Sequence, residues 1–180
     1  KPRINEKRIC GPAATVLEAA TDEFVPPQHA LDLIDEAPRG SVIVISIAGG
    51  EPNVAVWGGL MTAGAVANGH AGAVLDGAVR DLTEIRRDYD FPVYARAVSP
   101  GTTLGRYRTV ASQVPVRVAG IMVHPGDIIV GDTIGRTLRA AYSAAPVGIR
   151  RLGRQTTARD FRAVNKVMLG EAPALGGRSM

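Results

Sequence analysis

The sequence predicts an α/β fold whose middle is built from parallel strands. Residues 41–97 alternate between strand-like and helix-like segments, an order typical of parallel βαβ units. The run 41–47 is continuous, apolar and rich in β-branched residues, which indicates a strand buried on both faces. After residue 99 the apolar runs are short and separated by turn-forming residues, so the second half is predicted to be β-rich.

The segments before the buried strand predict one further strand and one helix. Residues 10–13 have the composition of a turn, and a strand is predicted directly after them at 14–17. The proline pair 26–27 interrupts the chain before a short helix with an apolar side, predicted at 29–37. The strand at 41–47 follows.

The remaining segments complete the alternation of strands and helices up to residue 97 and then change to short strands followed by two helices. A strand predicted at 72–76 is expected to break at Gly77, because glycine weakens a strand interior. The other predicted elements are helices at 57–68 and 82–88, a strand at 92–97, strands at 114–123 and 127–130, and helices at 136–145 and 157–169.

Length and composition exclude several classes of protein. A chain of 180 residues fits one domain with a sizeable core. No uncharged apolar run approaches the roughly 18–20 residues that a membrane span needs, so a membrane protein is not expected. The single cysteine, Cys10, excludes an internal disulfide and a cysteine-cluster metal site. We therefore expect a cytoplasmic protein.

Positive charge is concentrated in the C-terminal segment 136–180. The net charge of the chain is +4, and this segment holds nine basic residues against two acidic ones. It could bind nucleic acid or an acidic partner, or it could be a solvated helical face or an oligomer contact. We favour the second reading, because no aromatic-interleaved RNA-binding motif accompanies the charge, and nucleic-acid binding is not expected.

The residues with the clearest chemical potential follow the strand at 72–76. Arg80 and Asp81 stand at the mouth of a predicted helix, and Glu84 comes three residues later. Two carboxylates in one helical turn suit Mg²⁺, which needs few protein ligands, and Arg80 could then bind an anion. The alternative is a capping box, in which Asp81 and Glu84 only stabilise the start of their own helix. The local pattern alone favours the capping box.

A second candidate site lies at the entrance of the helix at 57–68. Gly58, Gly59, Leu60 and Met61 lie there, where backbone N–H groups can bind an anion without any side chain. The alternative is a glycine turn that lets a helix and a strand pack closely.

Together, these segments resemble the RraA-like family, which includes the 4-hydroxy-4-methyl-2-oxoglutarate (HMG) aldolases and the RraA regulators of ribonuclease E. The matching segments run in family order: CGPA at 10–13, GGLM at 58–61, GAVLDGAVRD at 72–81, FPVYA at 91–95, VPV at 114–116 and PGDIIV at 125–130. The resemblance implies one RraA-like domain over 1–180, with its core at about 9–135 and a basic, helical extension at 136–180. It implies a compact α/β/β sandwich of the swivelling β/β/α type, assembled as a homotrimer or hexamer with its active site between subunits.

The resemblance also implies roles for individual residues. Arg80 would be the catalytic residue that contacts the keto acid and its enolate, Asp81 would bind the metal directly, and Glu84 would bind it through water. The glycines Gly58 and Gly59 would form the substrate site, with the N–H groups of the next two residues, Leu60 and Met61, holding the substrate carboxylate. Gly59 departs from the pattern, because many aldolases carry an acidic residue there.

The function implied is a divalent-metal-dependent lyase of 2-keto acids that uses Mg²⁺ or Mn²⁺. It would release pyruvate by HMG aldolase-like retro-aldol cleavage, by oxaloacetate decarboxylation, or by both. The alternative is a non-catalytic regulator of a ribonuclease or another RNA-processing partner. The basic segment 136–180 motivates the regulator, and the acid at Glu84, which the regulators tend to lack, argues against it.

Overall fold

Apart from one additional short strand at Ala55–Trp57, the strands and helices follow the predicted alternation from residue 28 to residue 98. A computed structural model describes residues 4–131 and the backbone of residues 139–140. The strands are β1 (Ile9–Ala20), β2 (Val42–Ile47), β3 (Ala55–Trp57), β4 (Gly72–Val79), β5 (Val93–Val98), β6 (Tyr107–Ser112), β7 (Val116–Val118), β8 (Ile121–Val123), β9 (Ile128–Gly131) and β10 (Arg139–Ala140). The helices are α1 (Gln28–Glu36), α2 (Gly59–Ala67) and α3 (Leu82–Glu84), which continues as a wider π-type turn over Ile85–Tyr89.

The parallel strands form the centre of one mixed sheet. Its order is β10-β9-β1-β2-β4-β3, with β5 also paired to β4 and β6 also paired to β1. The pairs β1–β2, β2–β4, β3–β4 and β4–β5 are parallel, whereas β6 and β9 run antiparallel to β1. The parallel middle and the β-rich second half are therefore confirmed.

The sheet is covered on both faces, which gives three layers. On one face, Ile43, Ile45 and Leu75 pack against Leu33 of α1 and Met61 of α2. The other face packs against the hairpin β7–β8 and against β9, an outer strand of the same sheet, which curls round at that side. That second cluster contains Val42, Val44, Val74, Tyr94, Val116, Val118, Val123 and Ile129. Every residue of β2 is buried, because both of its faces lie inside a core.

Two expectations about glycine- and proline-containing segments were wrong. Residues 10–13 are part of β1 rather than a turn, with Pro12 at the last position paired to β9 before β1 joins β2. Gly77 does not break β4, which continues to Val79 through an irregularity in its pairing with β5. An ideal Cβ on Gly77 would lie 3.0 Å from the backbone oxygen of Val54, so glycine here permits close packing of two backbones.

Other differences follow from long-range pairing and from turns. Trp57, expected in a helix, ends β3, and β6 was not predicted at all. The run 114–123 folds back as a hairpin, because Ala119 (φ +50°) and Gly120 (φ +83°) both adopt left-handed backbone angles.

The C-terminal segment is described at two positions only. Residues Arg139–Ala140 lie within the helix expected at 136–145, yet they form β10, because their backbone pairs with the edge of β9. The helix expected at 157–169 lies outside the described residues. Across the described part of the chain, none of the helices has the length and apolar character needed to cross a membrane.

Candidate active site

Two loops meet at the carboxyl-terminal edge of the parallel strands. The chain leaves β4 at Val79 and turns through Arg80, while the neighbouring β3 ends at Trp57 and enters α2. Trp57 and Val79 are register partners, and the Arg80 N–H donates to the Trp57 carbonyl at 3.0 Å. The start of α2 and the residues after β4 are therefore neighbours, although more than twenty positions separate them in sequence.

The Asp81 side chain binds the start of α2 and does not cap its own helix. Its Oδ2 accepts the Gly59 N–H at 2.9 Å and lies 3.5 Å from the Arg80 Nε. Asp81 makes no capping bond to α3, so the capping-box interpretation was wrong. Asp81 adopts φ +58° and ψ +34°, a left-handed conformation that costs a non-glycine residue about 1–3 kcal/mol. This conformation occurs where the chain turns from β4 into α3.

Position 58 requires a glycine because there is no room for a side chain beside Asp81 and Arg80. The Gly58 φ of −160° is ordinary extended backbone that any residue can adopt. An ideal Cβ at this position would lie 2.6 Å from Asp81 Oδ2 and 2.9 Å from Arg80 Nε. Both side chains therefore lie directly on the Gly58 backbone, and a larger residue would push them away.

The Glu84 carboxyl group fills the space in which a side chain at position 59 would begin. An ideal Cβ on Gly59 would contact Glu84 Oε1 and lie 2.6 Å from Glu84 Cδ. The chain therefore does present an acid beside Gly59, from α3 rather than from α2. The sequence did not predict this contact, although it shows both that position 59 lacks an acidic residue and that Glu84 supplies one nearby.

The first turn of α2 presents backbone donors beside these carboxylates. The Leu60 and Met61 N–H groups belong to the first turn, whose donors lack intrahelical acceptors by position. Thr62 fixes this helix start, because its hydroxyl donates to the Gly58 carbonyl at 2.9 Å and accepts from the Trp57 indole at 2.8 Å.

The carboxylates suit a hard divalent cation. Asp81 and Glu84 lie against consecutive residues, Gly58 and Gly59, so their oxygens face one region of the site. Within the described residues no group of three or more histidine, cysteine or acidic side chains could hold a metal ion. Two carboxylates with waters fit Mg²⁺ or Mn²⁺, which are bound by few protein oxygens, better than a fully protein-ligated ion such as structural zinc.

A cleft of about 240 Å³ opens beside Arg80. Gly58, Leu60 and Met61 form one wall, so the cleft is continuous with the start of α2. Most of the other lining residues are apolar, and they come from the segment before α1, from α1 itself, from β3 and from the loop at 102–104.

Comparisons with known proteins place the chain in one family. A family model described as RraA-like, Aldolase/RraA, matches residues 1–137. Protein DlpA of Legionella pneumophila is 35% identical over 136 residues, which are 75% of this chain and 22% of DlpA. A protein of Halalkalibacterium halodurans named "Putative 4-hydroxy-4-methyl-2-oxoglutarate aldolase" is 35% identical over 141 residues, which are 77% of this chain and 62% of that relative.

A solved structure shares the fold. The RNA-processing inhibitor RraA from Thermus thermophilis is 28% identical with a TM-score of 0.59, covering 73% of this chain and 76% of that one. The α/β/β sandwich expected from the sequence is thereby confirmed. The chain spans less than two thirds of the two curated relatives described above. On the family model, the identity and the shared fold, the chain belongs to the RraA-like family.

Proposed function

We propose that the protein is a divalent-metal-dependent lyase of 2-keto acids that releases pyruvate. The reaction would be HMG aldolase-like retro-aldol cleavage, oxaloacetate decarboxylation, or both. One observation carries the proposal: Arg80, Asp81 and Glu84 all lie against the first residues of α2. A cation, two carboxylates and free backbone donors are thus available within one small region.

Each group has a role that its chemistry supports. The Leu60 and Met61 N–H groups would bind the carboxylate of the keto acid, since a helix N-terminus favours an anion. Asp81 would hold Mg²⁺ or Mn²⁺ directly and Glu84 would hold it through water, and the bound ion would polarise the C2 carbonyl. Arg80 would donate hydrogen bonds to the oxygen that becomes negative in the enolate.

The retro-aldol step breaks the C3–C4 bond of a 4-hydroxy-2-oxo acid. Its electron pair forms the C2–C3 double bond of pyruvate enolate, the C4 hydroxyl loses its proton, and C4 becomes a carbonyl. Protonation of C3 then gives pyruvate. The position of the Glu84 carboxyl group beside Gly59 supports a role in moving one of these protons, directly or through a water.

Gly59→Ala tests whether the position of Glu84 matters. The added Cβ would overlap the Glu84 carboxyl group, so Glu84 must rotate away, and we expect pyruvate release to fall about tenfold or more. The free energy of unfolding should change by less than about 1 kcal/mol, because only the flexible end of Glu84 moves and alanine favours a helix. Gly64→Ala, in the same helix but away from the carboxylates, is the matched control and should keep the wild-type rate.

The direct test of the function is pyruvate release from oxaloacetate and from HMG by the pure protein. We expect release that requires Mg²⁺ or Mn²⁺ and disappears on chelation. A pure protein that releases no pyruvate from either acid contradicts the proposal. So does release that Arg80→Ala and Asp81→Ala leave unchanged.

We also propose that the site is completed in a homotrimer or hexamer in the cytoplasm. Two leucines that line the same cleft support an interface there: Leu60 is 80% exposed and Leu104 is 41% exposed, and neighbouring exposed apolar side chains mark sites of interaction with other molecules. Light scattering of the pure protein measures the assembly.

The alternative function is regulation of a ribonuclease or another RNA-processing partner. The 28% identity to the RNA-processing inhibitor RraA favours it, whereas the acid at Glu84 does not. If the protein is such a regulator, it should capture a ribonuclease in a pull-down, and a variant that lacks residues 136–180 should not.

A further inference from the structure

One peptide unit at the start of α2 is held at both ends. The peptide that joins Gly58 to Gly59 is planar, so its carbonyl and its N–H turn together. The Gly58 carbonyl accepts the Thr62 hydroxyl at 2.9 Å and the Thr62 N–H at 3.1 Å. The Gly59 N–H donates to Asp81 Oδ2 at 2.9 Å. Through one rigid unit, Thr62 therefore holds the donor that binds the Asp81 carboxylate.

The Thr62 hydroxyl is itself fixed from the core. It accepts the Trp57 indole N–H at 2.8 Å, which directs its own hydrogen towards the Gly58 carbonyl. Trp57 is 1% exposed, and its ring stacks on Phe91 with the two ring centroids 6.1 Å apart. Thr62 is fully buried as well, so these hydrogen bonds lie inside one subunit and are sheltered from water.

Asp81 needs such support to present its carboxylate in one orientation. Its side chain is 39% exposed and makes no capping bond to α3. An exposed carboxylate can rotate, and this freedom is lost when it binds a cation. The Gly59 N–H restricts the rotation by holding Oδ2, and it thereby sets the direction of the second carboxylate oxygen. Groups that orient a metal ligand typically contribute about 10–100-fold in metal affinity or activity.

We propose that Thr62 is a positioning residue of the metal site, and that its hydroxyl acts on the cation through the Gly58–Gly59 peptide and Asp81. The inference rests on the proposed function, in which Asp81 holds Mg²⁺ or Mn²⁺. It adds to the site a residue that touches neither the metal nor the substrate. Loss of the hydroxyl should therefore weaken binding of the cation although both carboxylates remain.

Thr62→Val tests this role, because it removes the hydroxyl and keeps a branched side chain. The Gly58 carbonyl loses one of its two donors and the buried Trp57 N–H loses its acceptor, so the peptide is free to tilt. Electron paramagnetic resonance of free Mn²⁺ should give a dissociation constant about tenfold higher than that of wild type. Thr62→Ser keeps the hydroxyl and should restore the constant to within about twofold of wild type.

Thr15→Val is the matched control. Thr15 is also fully buried, and its hydroxyl also donates to a backbone carbonyl, that of Val114 at 2.6 Å, but it lies in β1, whose partners are β2, β6 and β9. This variant should keep the wild-type dissociation constant. Emission of Trp57, the single tryptophan of the chain, reports whether each variant keeps the buried indole of the folded protein.

Thr62→Ala carries the same test if Thr62→Val does not fold. Alanine favours a helix, and it frees the space of the hydroxyl and methyl groups for a water that can accept the indole N–H. The Mn²⁺ dissociation constant should again be higher than that of wild type, because the direct bond from the side chain to the Gly58 carbonyl is lost.

The outcomes separate this inference from the function on which it rests. Equal Mn²⁺ binding by wild type and by Thr62→Val, or by Thr62→Ala in its place, overturns the positioning role and leaves the lyase function standing. So does a loss of affinity that Thr62→Ser or Thr15→Val shares in full. A wild type that neither binds Mn²⁺ nor releases pyruvate from oxaloacetate or HMG removes the proposed function, and the role of Thr62 with it.

Discussion

Asp81→Asn is expected to lower metal-dependent pyruvate release by about a hundredfold or more while the protein stays folded. The amide keeps an oxygen that can accept the Gly59 N–H, which Asp81 Oδ2 accepts at 2.9 Å. It lacks the negative charge that a hard divalent cation requires. Loss of a group that only orients a metal ligand typically costs 10–100-fold, and loss of the ligand itself should cost more. The measurement is kcat/KM for oxaloacetate over a range of Mn²⁺ concentrations.

Asp81→Ala separates the two roles of this carboxylate. The alanine removes both the charge and the acceptor for Gly59, so this variant should be as inactive as Asp81→Asn but less stable. The expected difference in the free energy of unfolding is about 0.5–2 kcal/mol, the usual effect of removing a helix N-cap. Wild-type activity in Asp81→Asn would show that Asp81 acts only as a cap for α2.

Wild-type protein is expected to lose stability relative to the Glu18→Gln variant as the pH rises from about 5 to about 8. The quantity compared is the free energy of unfolding of the two proteins. Glu18 is fully buried in β1, beside Ile47 of β2 and Thr109 of β6, and neither of its carboxyl oxygens has a hydrogen-bond partner among the described residues. Burial raises the pKa of this carboxyl from 4.5 to about 8. The folded chain therefore binds a proton that the unfolded chain has already released.

The sign of this effect follows from proton linkage. Between the unfolded pKa of 4.5 and the folded pKa of about 8, the folded state holds more protons, so rising pH favours unfolding by up to about 1.4 kcal/mol per pH unit. Below that range the Glu18 carboxyl group is protonated in both the folded and the unfolded state, and above it the group is ionised in both. Outside the range, Glu18 therefore no longer makes stability depend on pH.

Glu18→Gln is the matched control because glutamine has nearly the shape of protonated glutamate and does not titrate. Urea unfolding at one protein concentration should give similar free energies for both proteins near pH 5 and a more stable Glu18→Gln near pH 8. A difference between the two proteins that stays constant from pH 5 to pH 8 would mean that Glu18 does not carry a proton in the folded state.

Strong local patterns allowed the parallel middle of the fold to be predicted. Strand β2 is a continuous β-branched run, and α1 follows a proline pair and has apolar residues on one side. β3 and β6 could not be recognised in the same way. Their pairing with β4 and β1 is set by long-range contacts, and β3 has only three residues.

The candidate site was predictable in its residues but not in its contacts. Arg80, Asp81 and Glu84 and the glycines before α2 stand out by type and spacing. The contacts of Asp81 with Gly59 and of Glu84 with the same glycine depend on a left-handed turn at Asp81 and on the β3–β4 register. Neither feature can be located from the local sequence: aspartate reaches positive φ more often than most non-glycine residues, but most aspartates do not, and the register of two strands depends on long-range pairing.

The central claim is that one site holds a divalent cation and a 2-keto acid together, and Mn²⁺ binding measures this most directly. Electron paramagnetic resonance reports free Mn²⁺ as protein is added, with and without pyruvate. Wild-type protein should bind Mn²⁺ more tightly when pyruvate is present, Asp81→Asn should bind little, and Arg80→Ala should bind Mn²⁺ without the pyruvate effect. Equal Mn²⁺ binding by wild type and Asp81→Asn, or no effect of pyruvate on the wild type, would contradict the account.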